Sequence, residues 1–499
     1  MKFLKLLLLL LSLSVLSANA EVYNVVEKID DEILESKEGS EVKASLKLPK
    51  AKRIPFAAII VVSEIKEFSK SNASLTLFID DKEVGAATIY NSKGERSTVI
   101  VATREFREAV KANKESIDVK ILMRGQNQSV LKIKSIGAKI VHDEKHFRNS
   151  TYIRPIFSGD EVTAESVFPL GNEQSDKPAS AKLLFAPTEI LEAYTFSSGK
   201  KVELEKDKDF RINGDSIEFI PTGAVKIIPY KDFYADTKED AMRFCQKPFY
   251  FRNIKKFAFF AEGDWFHKHM VYISYKHALN DEKVGEKFDE KILPNTLSLL
   301  KAKKPLRMVL FGDSISHGAN ASGKSLTAPY CPSWGDFVAQ ELYKYYKTPI
   351  IFFNRSLGGM TSNWGATEVS NLVSPDKPDL VIIAFGMNDR IAKEKFKENL
   401  QTMISEIRKV NPAAEIILVS SMMANPNWVT IPMHDEQFAC RELESKGIAF
   451  ADVRAVHKRL LQQKRFVDMT GNNVNHPNDF LIRIYAQTIL QKLIPTMSK

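Results

Sequence analysis

Ser314 stands where a serine hydroxyl could act as a nucleophile. It follows the apolar run 308–311 and the pair Gly312-Asp313, and it precedes Ile315, Ser316, His317 and Gly318. The run is long enough for a buried strand and short for a helix. Gly312 and Gly318 suit a tight turn into a following helix. Open α/β sheets place their sites at the carboxyl ends of strands, and the free backbone N–H groups of a helix start could hold an oxyanion. Simple capping of the next helix is the other reading open to the same serine. A serine hydroxyl is a poor nucleophile until a neighbouring base removes its proton. Histidine suits that task near neutral pH, and His476 sits in the stretch Asn473-Val474-Asn475-His476-Pro477-Asn478. Asn388, within Gly386-Met387-Asn388-Asp389, can donate to an anion without carrying charge.

These residues need elements to bring them together. Apolar runs at 308–311, 350–353, 380–384, 415–419 and 448–450 read as strands. Helical patterns lie between them at 334–347, 393–410 and 434–445, with a last helix expected over 478–493. Continuous apolar strands alternating with helices indicate a doubly wound, five-stranded parallel sheet covered on both faces. The first three strands run into 312–314, 354–362 and 385–389, and the last helix is preceded by 473–478. Strand ends in such a sheet converge on one edge, so four distant stretches can build one site.

Together these stretches resemble the sequence blocks of the SGNH (GDSL-type) hydrolases: Gly-Asp-Ser, a glycine following an asparagine, Gly-x-Asn-Asp, and a terminal His-Pro. The resemblance covers about 305–495 and implies a flavodoxin-like α/β hydrolase domain. It implies Ser314 as nucleophile and His476 as general base, chosen over His317 for its His-Pro context. The implied oxyanion donors are the backbone N–H groups of Ser314 and Gly359 and the side-chain amide of Asn388. Gly359 is preferred to Gly358 because it lies five residues after Asn354. Asp313 is assigned to the turn. The family usually carries an aspartate three residues before the histidine, and here that position is Asn473. A neutral amide cannot stabilise an imidazolium as a carboxylate does. A backbone carbonyl could orient His476, Asp468 or Asp479 could reach the ring, or the site could be weak. The first is favoured, as a working Ser–His site, with Asn473 counted among the catalytic positions beside Ser314 and His476.

The remainder of the 499 residues reads as β-rich. Lys2 and Lys5 precede an apolar run, and Ala18-Asn19-Ala20 has the small-x-small form of a cleavage site, so 1–20 reads as a secretory signal peptide. A secreted or periplasmic location follows. Short alternating runs at 57–62, 75–79, 98–102, 117–122 and 130–134 indicate an antiparallel sandwich over 21–150, resembling the jelly-roll modules of secreted carbohydrate-active enzymes. A second β-rich accessory domain spans 151–280 and resembles the β domain ahead of some secreted GDSL-type esterases. Within it 233–260 reads as a long irregular connection, and His267 and His269 share one face of a strand, for which a surface or interdomain role is preferred to a metal. A linker over 281–304 leads to the hydrolase domain at 305–499. Net charge is +9, and lysines and glutamates are interspersed, as on a solvated surface. Three widely spaced cysteines, Cys245, Cys331 and Cys440, allow at most one disulfide and no zinc-type site.

The expectation is a secreted serine esterase acting on O-acetyl groups of carbohydrate polymers, with no metal or organic cofactor, no nucleic-acid partner and no stable membrane insertion. A lipid or short-chain acyl esterase is the alternative within the class. A non-catalytic carbohydrate-binding protein is the alternative outside it. Specificity is expected to lie in 322–333 and 425–433.

Overall fold

A computed structural model describes residues 22–35, 40–50, 54–67, 72–89, 94–124, 130–141, 157–281, 288–428 and 435–498. The signal-peptide segment, 282–287 of the expected linker and 429–433 of the second specificity loop lie outside the described residues. The chain divides into two compact units, one of Met1–Arg148 with Ile351–Arg355, the other of Asn149–Ile350 with Ser356–Lys499.

In the first unit, a four-stranded antiparallel sheet and four antiparallel strands of a second sheet, which continues into Ile350–Asn354, face one core. One runs Val22–Glu35, Val130–Val141, Phe56–Glu67, Gly94–Val101; the other runs Glu41–Lys47, Ser116–Arg124, Ser74–Ile79, Lys82–Thr88. Glu41–Lys47 alternates strictly between exposed and buried residues, as a sheet with one solvated face requires. Its Val42 and Leu46 meet Leu75 and Val119 of their own sheet and Ile59 and Ile133 of the other in that core.

The second unit holds both the accessory block and the hydrolase segment. A four-stranded antiparallel sheet runs Lys200–Glu203, Pro187–Ser197, Val271–Asp281, Ser158–Val167. It shares a core with the strands Ser180–Lys182, Ser216–Phe219 and Phe210–Asn213. The stretch expected to be irregular contains a small sheet of Tyr234–Ala235, Lys256–Ala258 and Phe249–Phe251. Its Phe251 and Ala258 pack on Val474, two residues from His476.

The hydrolase segment has the expected parallel core. Leu306–Gly312 pairs with Leu380–Ala384, that strand with Glu415–Val419, and that with Ile448–Ala451, all in parallel. Leu380–Ala384 and Glu415–Val419 are buried at every residue, as strands covered on both faces must be. The fifth expected strand forms over Ile350–Asn354. Its Phe352, Phe353 and Asn354 pair in parallel with Gly85, Ala86 and Ala87, so this stretch is grouped with the first unit.

Polar contacts tie the accessory block to the hydrolase segment within the second unit. Lys464 pairs with Glu165, both side chains fully buried, while Glu165 also accepts from the Leu184 amide and the Tyr275 hydroxyl. Arg483 donates to the carbonyls of Thr163 and Ala164, and Asn478 to the hydroxyl of Ser166. Among the described residues no helix is long and apolar enough to cross a membrane. All three cysteines are free and buried.

Candidate active site

The strand Leu306–Gly312 ends in a single helical turn, Ser314–His317, capped by Asp313, whose carboxylate accepts from the Ile315 amide at 2.9 Å. Gly312 is required here by space: a Cβ would lie 2.2 Å from the Ala384 carbonyl oxygen of the adjacent strand. Ser314 is the first residue of the turn, so its amide has no intrahelical partner. Burial pushes the Asp313 carboxyl up to about 7, against the Ile315 amide and the His476 ring, which favour its charged form.

His476 arrives from the other end of the hydrolase segment, just before the helix Asp479–Leu490. Its backbone is tied at both groups, the amide donating to Asn472 Oδ1 at 3.0 Å and the carbonyl accepting from Gly471 and Thr470 at 2.9 Å. Thus held, Nε2 lies 2.9 Å from Ser314 Oγ. Ser314 is 9% exposed and His476 8%, so the pair is largely shielded from water. His317, the base passed over, remains within the turn, its imidazole held down at about 3 by burial and by the charge of Lys324.

The other ring nitrogen has partners that motif reasoning missed. Nδ1 lies 2.7 Å from Asn320 Oδ1 and 3.2 Å from Glu262 Oε2. The Asn320 amide is oriented by donation from Nδ2 to the Gly471 carbonyl at 3.0 Å, which turns its oxygen to the ring. Glu262 belongs to the accessory block and also accepts from Asn472 at 3.1 Å. Burial pushes its carboxyl up, but the bonds from His476, Asn472 and Asn320 outweigh that and leave it below the usual glutamate range.

Three expectations about this side of the ring are corrected. Among the described residues no backbone carbonyl reaches Nδ1; two side chains do. Asp468 instead accepts from the Phe168 amide and pairs with Arg465. Asp479 accepts from the Ser322 amide and faces His267 at 3.5 Å. Asn473, placed beside the base by its position in the sequence, is turned away from it. Its Nδ2 donates to the Phe259 carbonyl at 2.9 Å, and its carbonyl and side-chain oxygens accept from Asn425. With φ at +68°, its backbone lies in the left-handed region that asparagine tolerates better than most residues.

The expected oxyanion donors lie on connected loops. Asn388 donates through Nδ2 to the Met360 carbonyl at 3.0 Å, which leaves its second amide hydrogen for a ligand. Asp389 accepts from the Ser362 amide and hydroxyl, fixing the start of the helix Ser362–Leu372. Gly359 immediately precedes the first of these anchors, with φ at +77°, and a methyl group added to it would meet nothing within 4 Å, so backbone conformation rather than crowding calls for glycine. His267 is buried, its Nε2 2.9 Å from the Asn320 carbonyl oxygen, whereas His269 stacks on Trp265. Among the described residues, no cluster of three or more histidine, cysteine, aspartate or glutamate side chains is placed to hold a metal.

A serine hydroxyl held against an imidazole in this way can transfer an acyl group. Residues 310–480 match the GDSL-like lipase/acylhydrolase family. The match marks this segment as a GDSL-like lipase/acylhydrolase domain and supports a carboxylic ester hydrolase. Among solved structures, the chain is similar to Axe2, an acetylxylan esterase from Geobacillus stearothermophilus, at 18% identity over 37% of this chain and 92% of that one, with a TM-score of 0.31. A two-domain esterase (CEX) active on acetylated mannans, co-crystallised with mannopentaose, is 20% identical over 43% of this chain and 55% of that one, TM-score 0.36. LAE5, an α/β hydrolase enzyme from the metagenome of Lake Arreo, Spain, is 17% identical over 38% and 96%, TM-score 0.32. No curated protein matches the chain.

Proposed function

We propose that the protein is a secreted serine esterase that removes O-acetyl groups from carbohydrate polymers. The observation that carries the reading is the 2.9 Å separation of Ser314 Oγ and His476 Nε2 at a strand end. Ser314 attacks the ester carbonyl carbon as His476 takes its proton at Nε2. The resulting oxyanion is held by the amides of Ser314 and Gly359 and the side chain of Asn388, donors of the kind worth about 2.7–4 kcal/mol each. His476 then returns the proton to the departing sugar oxygen, leaving an acyl-serine. Water, deprotonated by the same imidazole, attacks that ester and releases acetate and free Ser314.

The carbohydrate assignment is supported by the β-rich blocks ahead of the hydrolase segment, read as jelly-roll-like modules, and by the aromatic side chains Phe249, Phe260 and Trp428 clustered with Val474, two residues before His476. Apolar rings beside a few fixed polar groups suit the mixed faces of a pyranose. Secretion is supported by the leader-like composition of 1–20. The test is release of acetate from acetylated xylan, mannan and pectin, beside hydrolysis of an aryl acetate. The reading expects both activities in the intact protein and neither in Ser314→Ala. Turnover of aryl acetate or lipid esters with no acetate from any glycan would overturn the carbohydrate part. Absence of all turnover in folded protein would overturn the esterase.

A further inference from the structure

We infer that Glu262, carried by the accessory block, supplies the negative charge behind His476 that the family ordinarily takes from the position of Asn473, while Asn320 orients the ring. The inference rests on the Ser314–His476 reading and concerns how that base is supported.

Two acceptors meet one ring N–H. Asn320 Oδ1, at 2.7 Å, is buried and fixed by the Gly471 carbonyl; it selects the tautomer with hydrogen on Nδ1 and leaves the Nε2 lone pair toward Ser314. It brings no charge. Glu262 Oε2, at 3.2 Å, brings the charge, and its other oxygen is held by Asn472. An imidazolium formed during attack is therefore balanced by a carboxylate, with the proton remaining on the ring. Asp313, on the nucleophile's turn, also interacts with the His476 ring.

Asn473 has a place in the same arrangement. It donates to the carbonyl of Phe259, three residues before Glu262. On either side of Glu262 the chain is anchored by Phe259, Trp265 and Phe266, whose rings pack against one another with centroids 4.0 to 6.1 Å apart. The amide at the position of the missing aspartate thus holds the segment that bears the carboxylate. An aspartate there would offer no N–H to that carbonyl.

Glu262 is a positioning residue, so its test is the split between kcat and KM together with rescue. Glu262→Gln keeps size and hydrogen bonding and removes charge. A carboxylate this close stabilises the imidazolium formed during attack, so its loss lowers kcat and leaves KM nearly unchanged. The expected fall in kcat is about tenfold, the equivalent of about 1.4 kcal/mol. Glu262→Asp keeps part of the parental kcat, and formate restores activity to Glu262→Ala but not to Ser314→Ala. Adding Asn473→Asp to Glu262→Gln gives no recovery. A Glu262→Gln kcat equal to the parent's, no effect of formate, or recovery through Asn473→Asp overturns the inference while Ser314-dependent turnover stands. Equal turnover in the parent and Ser314→Ala overturns the reading beneath it.

Discussion

The carboxylate of Glu262 lies 3.2 Å from Nδ1 of His476, a residue 214 positions later in the chain. The proposed base thereby meets a carboxylate from a β-rich block outside the segment matched by the family. The accessory block is bound to the hydrolase segment by buried polar contacts and reaches the reacting groups themselves.

Asn388 offers a direct measure of oxyanion stabilisation. Asn388→Ala removes its side-chain donor and the tether to Met360. The expected loss is about 10²–10³ in kcat with a smaller change in KM, read by steady-state kinetics on an aryl acetate. An unchanged kcat would place the developing charge elsewhere.

Gly359 tests the neighbouring donor through conformation alone. Because a methyl group there meets nothing within 4 Å, Gly359→Ala introduces only the strain of φ at +77°, about 1–2 kcal/mol. The loop is expected to turn its amide, lowering kcat while urea stability changes by no more than that strain. A variant with parental kcat would remove Gly359 from the oxyanion set.

Asp313 gives a pH dependence of stability. Its folded pKa, about 7, is raised by burial above the usual 3.8. Between those values the folded state holds a proton that the unfolded state has released, so this residue makes stability fall as pH rises through that window. Asp313→Asn retains an acceptor for the Ile315 amide and removes the titration. Relative to the parent, its urea midpoint is expected to improve from about pH 4.5 to about pH 8, either side of most of that window, and the opposite trend would contradict the assignment.

Much of the site was legible because its chemistry is written in short local stretches. Gly312-Asp313-Ser314, Asn388 and His476 are each fixed by neighbours in sequence, and strand ends that share an edge bring them together. Glu262 was illegible for the opposite reason. Nothing in Ala261-Glu262-Gly263-Asp264 announces a partner in a distant part of the chain, and its place depends on how an aromatic cluster packs. Asn473 misled because position within a motif says nothing about which way a side chain turns once Phe259 and Asn425 compete for it. The single compact unit formed by the accessory block and hydrolase segment was hidden likewise, since Lys464 and Glu165 look like ordinary surface charges until they are seen paired.

That pair carries a prediction of its own. Lys464→Met leaves Glu165 as an uncompensated buried charge and is expected to cost about 3–5 kcal/mol. Glu165→Gln with Lys464→Met removes both charges and recovers most of that loss. Urea denaturation followed by fluorescence and residual activity measures both, and a neutral single variant would contradict the coupling.

The most direct test is covalent labelling with a fluorophosphonate, followed by mass spectrometry of the digested protein. Activation of Ser314 by His476 predicts one adduct on the peptide containing Ser314, formed rapidly in the parent and about a hundredfold or more slowly in His476→Ala, on the order of a general base's contribution. An adduct on another residue, or equal labelling in the two proteins, would contradict it.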